Sequence, residues 1–265
     1  MREEIIDSMV KEKIINFAKK GMRIDNRKLN EYRNIDLLTN IITNADGSAQ
    51  ISLGDTSLIA GIKMEPAVPF PDTPNAGILT TNVELTPMAS PMFEGGPPSP
   101  EAVEIARVVD RGIRESKMVN TEKLAIVPGE KVWMVYIDIH VLDYDGNLFD
   151  ASFLASVAAL MTTKIPYKKF NMQFSGSDTL PIDHLPVEST YVKIGDFISV
   201  DPTLEEETIA DARLTVGVDE NGDIRAMQKG GRGSFKTEEL YNILEINKNI
   251  HQSLREKVKQ ACGVQ

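Results

Sequence analysis

The chain has 265 residues, 42% of them hydrophobic, enough for one large core or two moderate ones, and it lacks any run of about 18 apolar residues that would span a membrane. Its formal net charge of -10 opposes indiscriminate coating of nucleic acid, so any such contact has to be a local basic site or a pore shared with other subunits. One cysteine, Cys262, and three scattered histidines, His140, His184 and His251, exclude an intrachain disulfide and give no zinc signature, and no Walker-type loop or GxGxxG follows a strand.

Residues 3 to 20 read as a helix, with Ile6, Val10, Ile14 and Phe17 on one stripe and Gly21 as its stop. Acids and bases interrupt that stretch, so it does not read as a signal peptide, and a cytoplasmic location is expected. Three strand-like runs follow, Ile35–Thr43, Ser48–Leu53 and Thr56–Met64, separated by turn signals at Asn44–Gly47 and Gly54-Asp55. They predict an antiparallel meander. Residues 65 to 100 are proline-rich around one alternating piece, GILTTNVELTP. Ser99-Pro100 then predicts a helix to about Lys117, with serine as cap and proline in the first turn.

In that helix Ile105, Val108, Val109, Gly112 and Ile113 recur at i, i+3, i+4, i+7 and i+8 and define the buried face. Arg107, Arg111 and Arg114 fall within a ~60° sector opposite it, at ~100° per residue. Three guanidinium groups one turn apart suit successive phosphates of a single strand. The bland alternative is an ordinary salt-bridged surface, since Asp110 with Arg114 and Arg111 with Glu115 are both i,i+4 pairs. On pattern alone that alternative is preferred.

Lys131–Tyr144 alternates with both residue sets largely apolar, which predicts a central strand buried on both faces. Asp145-Gly146-Asn147 turns into an apolar helix over 150–163 that should pack closely on a sheet. From about Thr190 come two short strands, a turn or short helix in LEEETIADA, and a hairpin with its turn at Asp219–Gly222. Lys236 to Cys262 is a terminal helix with Leu240, Ile243, Leu244, Ile250, Leu254 and Val258 on one side. Asp201, Glu205, Glu206, Glu207 and Asp211 could hold a metal, but acids favour a helix start and the run reads better as a solvated one. Lys229–Ser234 is open between a backbone nest for phosphate and a flexible connector. His140 reads as a core histidine, and Arg23 and Arg27 as fixing a domain edge.

Several stretches together resemble the RNase PH family. Arg23-Ile24-Asp25-Asn26-Arg27 resembles its R-x-D-G-R signature, with Asn26 in place of glycine. Gly47-Ser48-Ala49 with Leu53-Gly54-Asp55-Thr56 resembles its first hairpin, and ARVVDRGIRES its arginine helix. Val200-Asp201-Pro202, Glu205–Glu207 and Met227-Gln228-Lys229 resemble its second half. The likeness runs from about residue 20 to 260. Within the family the chain most resembles the non-catalytic ring subunit of the archaeal exosome, through MASPMFEGGPP ahead of the arginine helix.

The resemblance implies an α+β RNase PH fold. Residues 1–29 would be an N-terminal helix and arm, 30–188 a first part like ribosomal protein S5 domain 2, and 189–265 a smaller α/β second part. It also implies phosphorolysis, in which inorganic phosphate attacks the terminal 3′ linkage of RNA. Active members resemble D-G-G-T-R-T-A-S where this chain has Asp145–Ser152, so Leu148 and Phe149 stand at the phosphate-binding positions, and Asp150 would repel phosphate. Two family aspartates align with Glu207 and Arg213, and an arginine can neither ligate a metal nor act as general acid.

The chain is therefore expected to be non-catalytic. The resemblance implies a heterodimer with a catalytic RNase PH-like exosome subunit, three pairs closing a hexameric ring under a cap of RNA-binding subunits, and no membrane partner. Arg107, Arg111 and Arg114 would bind single-stranded RNA. No cofactor is expected in this chain, with inorganic phosphate and magnesium at the partner's active site. The alternatives are a self-sufficient phosphate-dependent 3′-5′ exoribonuclease in a homo-oligomeric ring and a purely structural scaffold.

Overall fold

Alternating burial along the strands builds the first sheet. In the computed structural model, which describes residues 2–172 and 177–264 with side chains from Met9 onward, β1 (Ile35–Thr39), β2 (Gly47–Leu53) and β3 (Thr56–Ala67) form the expected antiparallel meander. β1 ends at Thr39 rather than 43, because Asn40 turns left-handed at φ 58 and its N–H bonds the Ser48 carbonyl at 2.7 Å. β6 (Lys131–Asp143) lies antiparallel to β3 and parallel to β4 (Ile78–Glu84), and short β5 (Ala125–Val127) flanks its start. The sheet order is β1-β2-β3-β6-β4. A parallel return requires a crossover, and α2 (Pro100–Glu115) lies on that path, packed against β4.

β6 departs from the sequence expectation. Trp133, Val135, Ile137, Ile139 and Val141 are buried, but Met134, Tyr136 and Asp138 on the opposite face are only partly covered. Helices back just one side of this sheet, and apolar residues on the other face do not change that. His140 lies on the open face, its side chain 48% exposed and its Nδ1 3.2 Å from Glu84 Oε2. It is not a core histidine.

The second sheet has the order β10-β9-β7-β8, all antiparallel, from β7 (Val187–Ile194), β8 (Phe197–Val200), β9 (Ala212–Val218) and β10 (Ile224–Gly230). Its hairpin turn is held by Asp219, whose Oδ1 accepts from the Asn221 and Asp223 amides at 2.9 and 3.0 Å. α3 (Leu148–Met161) fills the space between the sheets, touching β2 and β3 on one side and β7 on the other. Leu148 through Leu160 are all buried, as a helix without a polar face must be. Gly47 permits the close approach of β2, since a Cβ there would lie 2.6 Å from the Ala159 carbonyl. α3 starts two residues before the predicted Asp150, because Asn147, left-handed at φ 57, caps it by accepting from the Asp150 amide.

α5 (Thr237–Cys262) lays Ile243, Ile250, Leu254 and Val258 on β7 and α3. α1 (Arg2–Ala18) sets Ile14 against Ile194 and Ile209, with Val10 packed beside them. Ile6 of the predicted stripe lies outside the described side chains. The arm after α1 ties the two sheets together. Arg23 is 3% exposed and donates to Glu206 and to the Val200 and Asp201 carbonyls. Arg27 reaches Asp201 Oδ2 at 2.8 Å. Both arginines are structural, and Asn26, at φ 67, adopts the left-handed turn that the family signature gives to glycine.

That network corrects the reading of the acidic run as solvated. α4 (Leu204–Ile209) does begin with a capping box of Thr203 and Glu206, but Asp201 and Glu206 are buried against arginines. Asp211 is paired with Lys11 at 2.5 Å. Among the described residues no group of three or more His, Cys, Asp or Glu is placed to hold a metal ion.

Candidate nucleic-acid interface

α2 is specified locally. Ser99 Oγ accepts the Ala102 amide at 3.2 Å and Pro100 opens the first turn. Ala102, Ile105, Val108, Val109, Gly112 and Ile113 are buried, as the periodicity predicts. Arg107, Arg111 and Arg114 are all exposed on the opposite side, but they are not equivalent. Arg114 is held by Asp110, with Nη2–Oδ1 at 2.9 Å and Nε–Oδ2 at 3.2 Å, and it also donates to the Leu79 carbonyl at 3.1 Å. The salt-bridge reading is right for this residue. Arg111 ignores Glu115 and makes one long hydrogen bond, 3.4 Å, to Gln228 Oε1. Among the described residues Arg107 has no hydrogen bond or ion pair. It faces a groove of about 390 Å³ between β4 and α2, lined by Thr81, Asn82, Val103, Arg107 and Arg114 among others. A free guanidinium beside a groove is the strongest anion-binding feature of the helix.

The loop before α3 makes the second part of the site. Gly146 is left-handed at φ 86, and a Cβ there would meet the Leu204 amide nitrogen at 2.5 Å. Leu148 and Phe149 are buried in the first turn of α3. The Arg213 guanidinium lies over the Phe149 ring, its carbon 3.9 Å from the centroid, and is ion-paired with Glu104. Gln228 Nε2 reaches the same Glu104 oxygen at 3.5 Å. The buried Phe149 ring thus lies under an arginine that already has its acid.

Asp150 does not act as expected. It points into the core and accepts from Tyr32 Oη at 2.6 Å, Asn147 Nδ2 at 2.8 Å and Thr190 Oγ1 at 2.7 Å. Burial pushes its carboxyl up to about 6 against those hydrogen bonds, which hold it inside the core. Glu207 accepts from the Asn147 amide and from Tyr144 Oη, both at 3.0 Å, and burial pushes it up to about 7. Tyr144 stacks on Phe93 with centroids 5.1 Å apart. The opposite charge that acts on Glu207 is Arg213. This donor set does not fit a divalent ion. Glu104, which pairs with Arg213, and Glu101, whose charge acts on Glu207, are further members that the motifs do not single out. Their signal was available: two acids spaced i,i+3 directly ahead of Arg107 on the same helix.

Lys229–Ser234 folds back on β9. The Gly233 amide bonds the Asp211 carbonyl at 2.6 Å, and a Cβ at Gly231 would come within 2.9 Å of that same oxygen. These contacts favour the connector over the phosphate nest. No helix among the described residues is long and apolar enough to cross a membrane.

Comparison with known proteins places this geometry. The 3′ exoribonuclease family models match here, domain 1 over residues 31–166 and domain 2 over residues 184–249. The exosome complex component Rrp42 of Thermococcus gammatolerans is 50% identical over 266 residues, covering 98% of this chain and 97% of that one. A chain from the Archaeoglobus fulgidus exosome with RNA bound to the active site superposes with a TM-score of 0.91 at 43% identity, covering 96% of this chain and 99% of its own. A chain of an archaeal exosome core gives 0.88 at 40% identity, covering 98% and 100%.

Proposed function

The chain belongs to the RNase PH family of 3′ exoribonucleases, and from that premise we propose that it is the non-catalytic ring subunit of an exosome that degrades RNA from the 3′ end. It pairs with a catalytic RNase PH-like chain, three such pairs close a hexameric ring, and RNA-binding subunits cap it. In the partner's site inorganic phosphate attacks the terminal phosphodiester and releases a nucleoside diphosphate. This chain's part is to shape that site and to hold single-stranded RNA on Arg107 and Arg111.

The observation that carries the proposal is the pair Phe149 and Arg213. A phosphate pocket needs converging donors, and a divalent ion needs oxygen ligands. On the family resemblance Phe149 stands at a phosphate-binding position and Arg213 at an aspartate position, and the first is a buried ring and the second an acid-paired arginine. The RNA role rests on Arg107, exposed and without a partner among the described residues, and then on Arg111. Arg114 contributes least, because Asp110 and the Leu79 carbonyl already hold it.

The test is the double variant Arg107→Glu and Arg111→Glu in the assembly with an active partner. Affinity for single-stranded RNA, followed by fluorescence anisotropy, is expected to fall at least about tenfold, and the slope of log affinity on log salt to shrink by about 2. Unchanged affinity and slope would defeat the RNA role.

A further inference from the structure

β4 is the last strand of its sheet and has β6 on one side. The direction of its outer groups follows from two contacts. The Leu79 carbonyl accepts from Arg114 Nη2 of α2 at 3.1 Å, and the Gly77 amide, just ahead of the strand, bonds the Thr121 carbonyl at 2.8 Å. Backbone groups along a strand alternate sides with a period of two, so those of Thr81 point outward as well. Among the described residues nothing pairs with the outward N–H and C=O of Thr81, and its Oγ1 is buried without a partner. Thr81 lines the groove of about 390 Å³ that Arg107 faces. The opposite wall is α2, where Val103, Ala106, Arg107 and Asp110 follow at i, i+3, i+4 and i+7. Val103 is 44% exposed, so the wall beside Arg107 is open and apolar. Asp110 is held by Arg114, which leaves Arg107, among the described residues, as the unpaired charge of the groove.

We propose that this groove is a nucleoside subsite on the RNA path: one base of the single strand enters it, with its polar edge on Thr81, its face on Val103 and Ala106, and its phosphate on Arg107. The proposal rests on the RNA reading above and gives the grip a base to hold as well as a phosphate. A nucleobase is flat, apolar on its faces, and carries adjacent donors and acceptors along its edge. The groove sets the complementary features together: an apolar wall, a main-chain donor and acceptor on one residue, and a cation at the rim. Its volume lies within the range of small-molecule sites, ~300–1,000 Å³. An added peptide strand fits less well. It needs a run of free edge groups, and those at Gly77 and Leu79 are already taken by Thr121 and Arg114.

The test uses the assembly with an active partner in phosphate-free buffer, where the RNA stays intact, and single-stranded RNAs that each carry one abasic nucleotide. Val103→Trp fills the groove from the helix surface and replaces no arginine. It should weaken binding of the unmodified RNA about tenfold, the effect of losing one base contact. The salt slope should stay the same, because no phosphate contact is lost. At one position the abasic nucleotide should cost the parent about tenfold and cost Val103→Trp nothing further. A 4-thiouridine at that position should crosslink in the parent to residues 79–83 or 103–107, a readout that needs no substitution. Abasic losses equal in parent and Val103→Trp at every position, with affinity still sensitive to Arg107→Glu/Arg111→Glu, overturn the subsite and leave the grip standing. Affinity insensitive to those arginine changes overturns both. A Val103→Trp chain that no longer assembles with its partner, with no crosslink in the parent, assigns the groove to a protein strand and also overturns the subsite.

Discussion

Asp201→Asn is expected to cost about 3–5 kcal/mol of folding stability, the range for breaking a buried ion pair from one side. Asp201 is fully buried. Its Oδ2 accepts from Arg27 Nη1 at 2.8 Å, from the Arg33 amide at 2.8 Å and from Arg33 Nε at 3.0 Å. Its Oδ1 accepts from Arg33 Nη2 at 2.8 Å and Asn147 Nδ2 at 2.7 Å. Every partner is a donor, so an amide nitrogen in either place would face N–H groups and leave two guanidinium groups without their counter-charge. The backbone does not confound the experiment, because Asp201 sits at φ 49 and asparagine tolerates the left-handed region as well as aspartate does. Burial alone would raise the Asp201 carboxyl, but the hydrogen bonds and charge of Arg33, with Arg27, hold it below its usual value. A depressed carboxylate stabilises the fold above its unfolded pKa and loses that contribution as the pH falls through the folded value. The gap between the two proteins should therefore be full at pH 7 and narrow below about pH 4. Denaturant unfolding at pH 7 measures it, and a loss under about 1 kcal/mol would contradict this network.

Glu188→Gln should do the opposite and stabilise the protein increasingly as the pH rises. Glu188 is fully buried on β7, and among the described residues neither carboxyl oxygen has a partner. Two glycines make room for it. A Cβ at Gly112 of α2 would lie 2.2 Å from Glu188 Oε1, and one at Gly217 of β9 would lie 3.0 Å from Glu188 Cγ. Burial pushes this carboxyl well above the usual range, and the nearby charge of Asp150 adds to the effect. The folded state thus keeps a proton that the unfolded chain has already released. Stability is fully present below the unfolded pKa and declines as the pH climbs toward the folded one, by about 1.4 kcal/mol per pH unit from this group. Glutamine keeps the shape and removes the titration. The difference in unfolding free energy between variant and parent should grow by about 2–3 kcal/mol from pH 5 to pH 7. Parallel stability curves would show that Glu188 is already ionised and solvated in the fold.

The arginine helix was readable from its residues because both of its signals are local: an i, i+3, i+4 apolar stripe, and a serine-proline start. The meander and the β9–β10 hairpin were readable for the same reason. What escaped was set by distant pairings. Asp150 looked like a charge in a phosphate loop, but its partners Tyr32 and Thr190 come from the arm and from β7. Arg213 was recognised as wrong for catalysis, but its pairing with Glu104 spans 109 positions, and no periodicity reports that. The exposure of His140 escapes the sequence because apolar alternation on β6 shows what could be buried, whereas coverage depends on where the helices pack. The two glycines around Glu188 look like weak points of a helix and a strand until the carboxyl between them is seen.

The central claim is that this chain grips RNA for a reaction it does not perform. The most direct measurement is phosphate-dependent 3′ shortening of single-stranded RNA by the purified chain alone and by the chain assembled with an active RNase PH-like partner. No nucleoside diphosphate release is expected from the chain alone, and processive shortening is expected from the assembly. Robust phosphorolysis by the chain alone would contradict it and restore the reading of a self-sufficient nuclease.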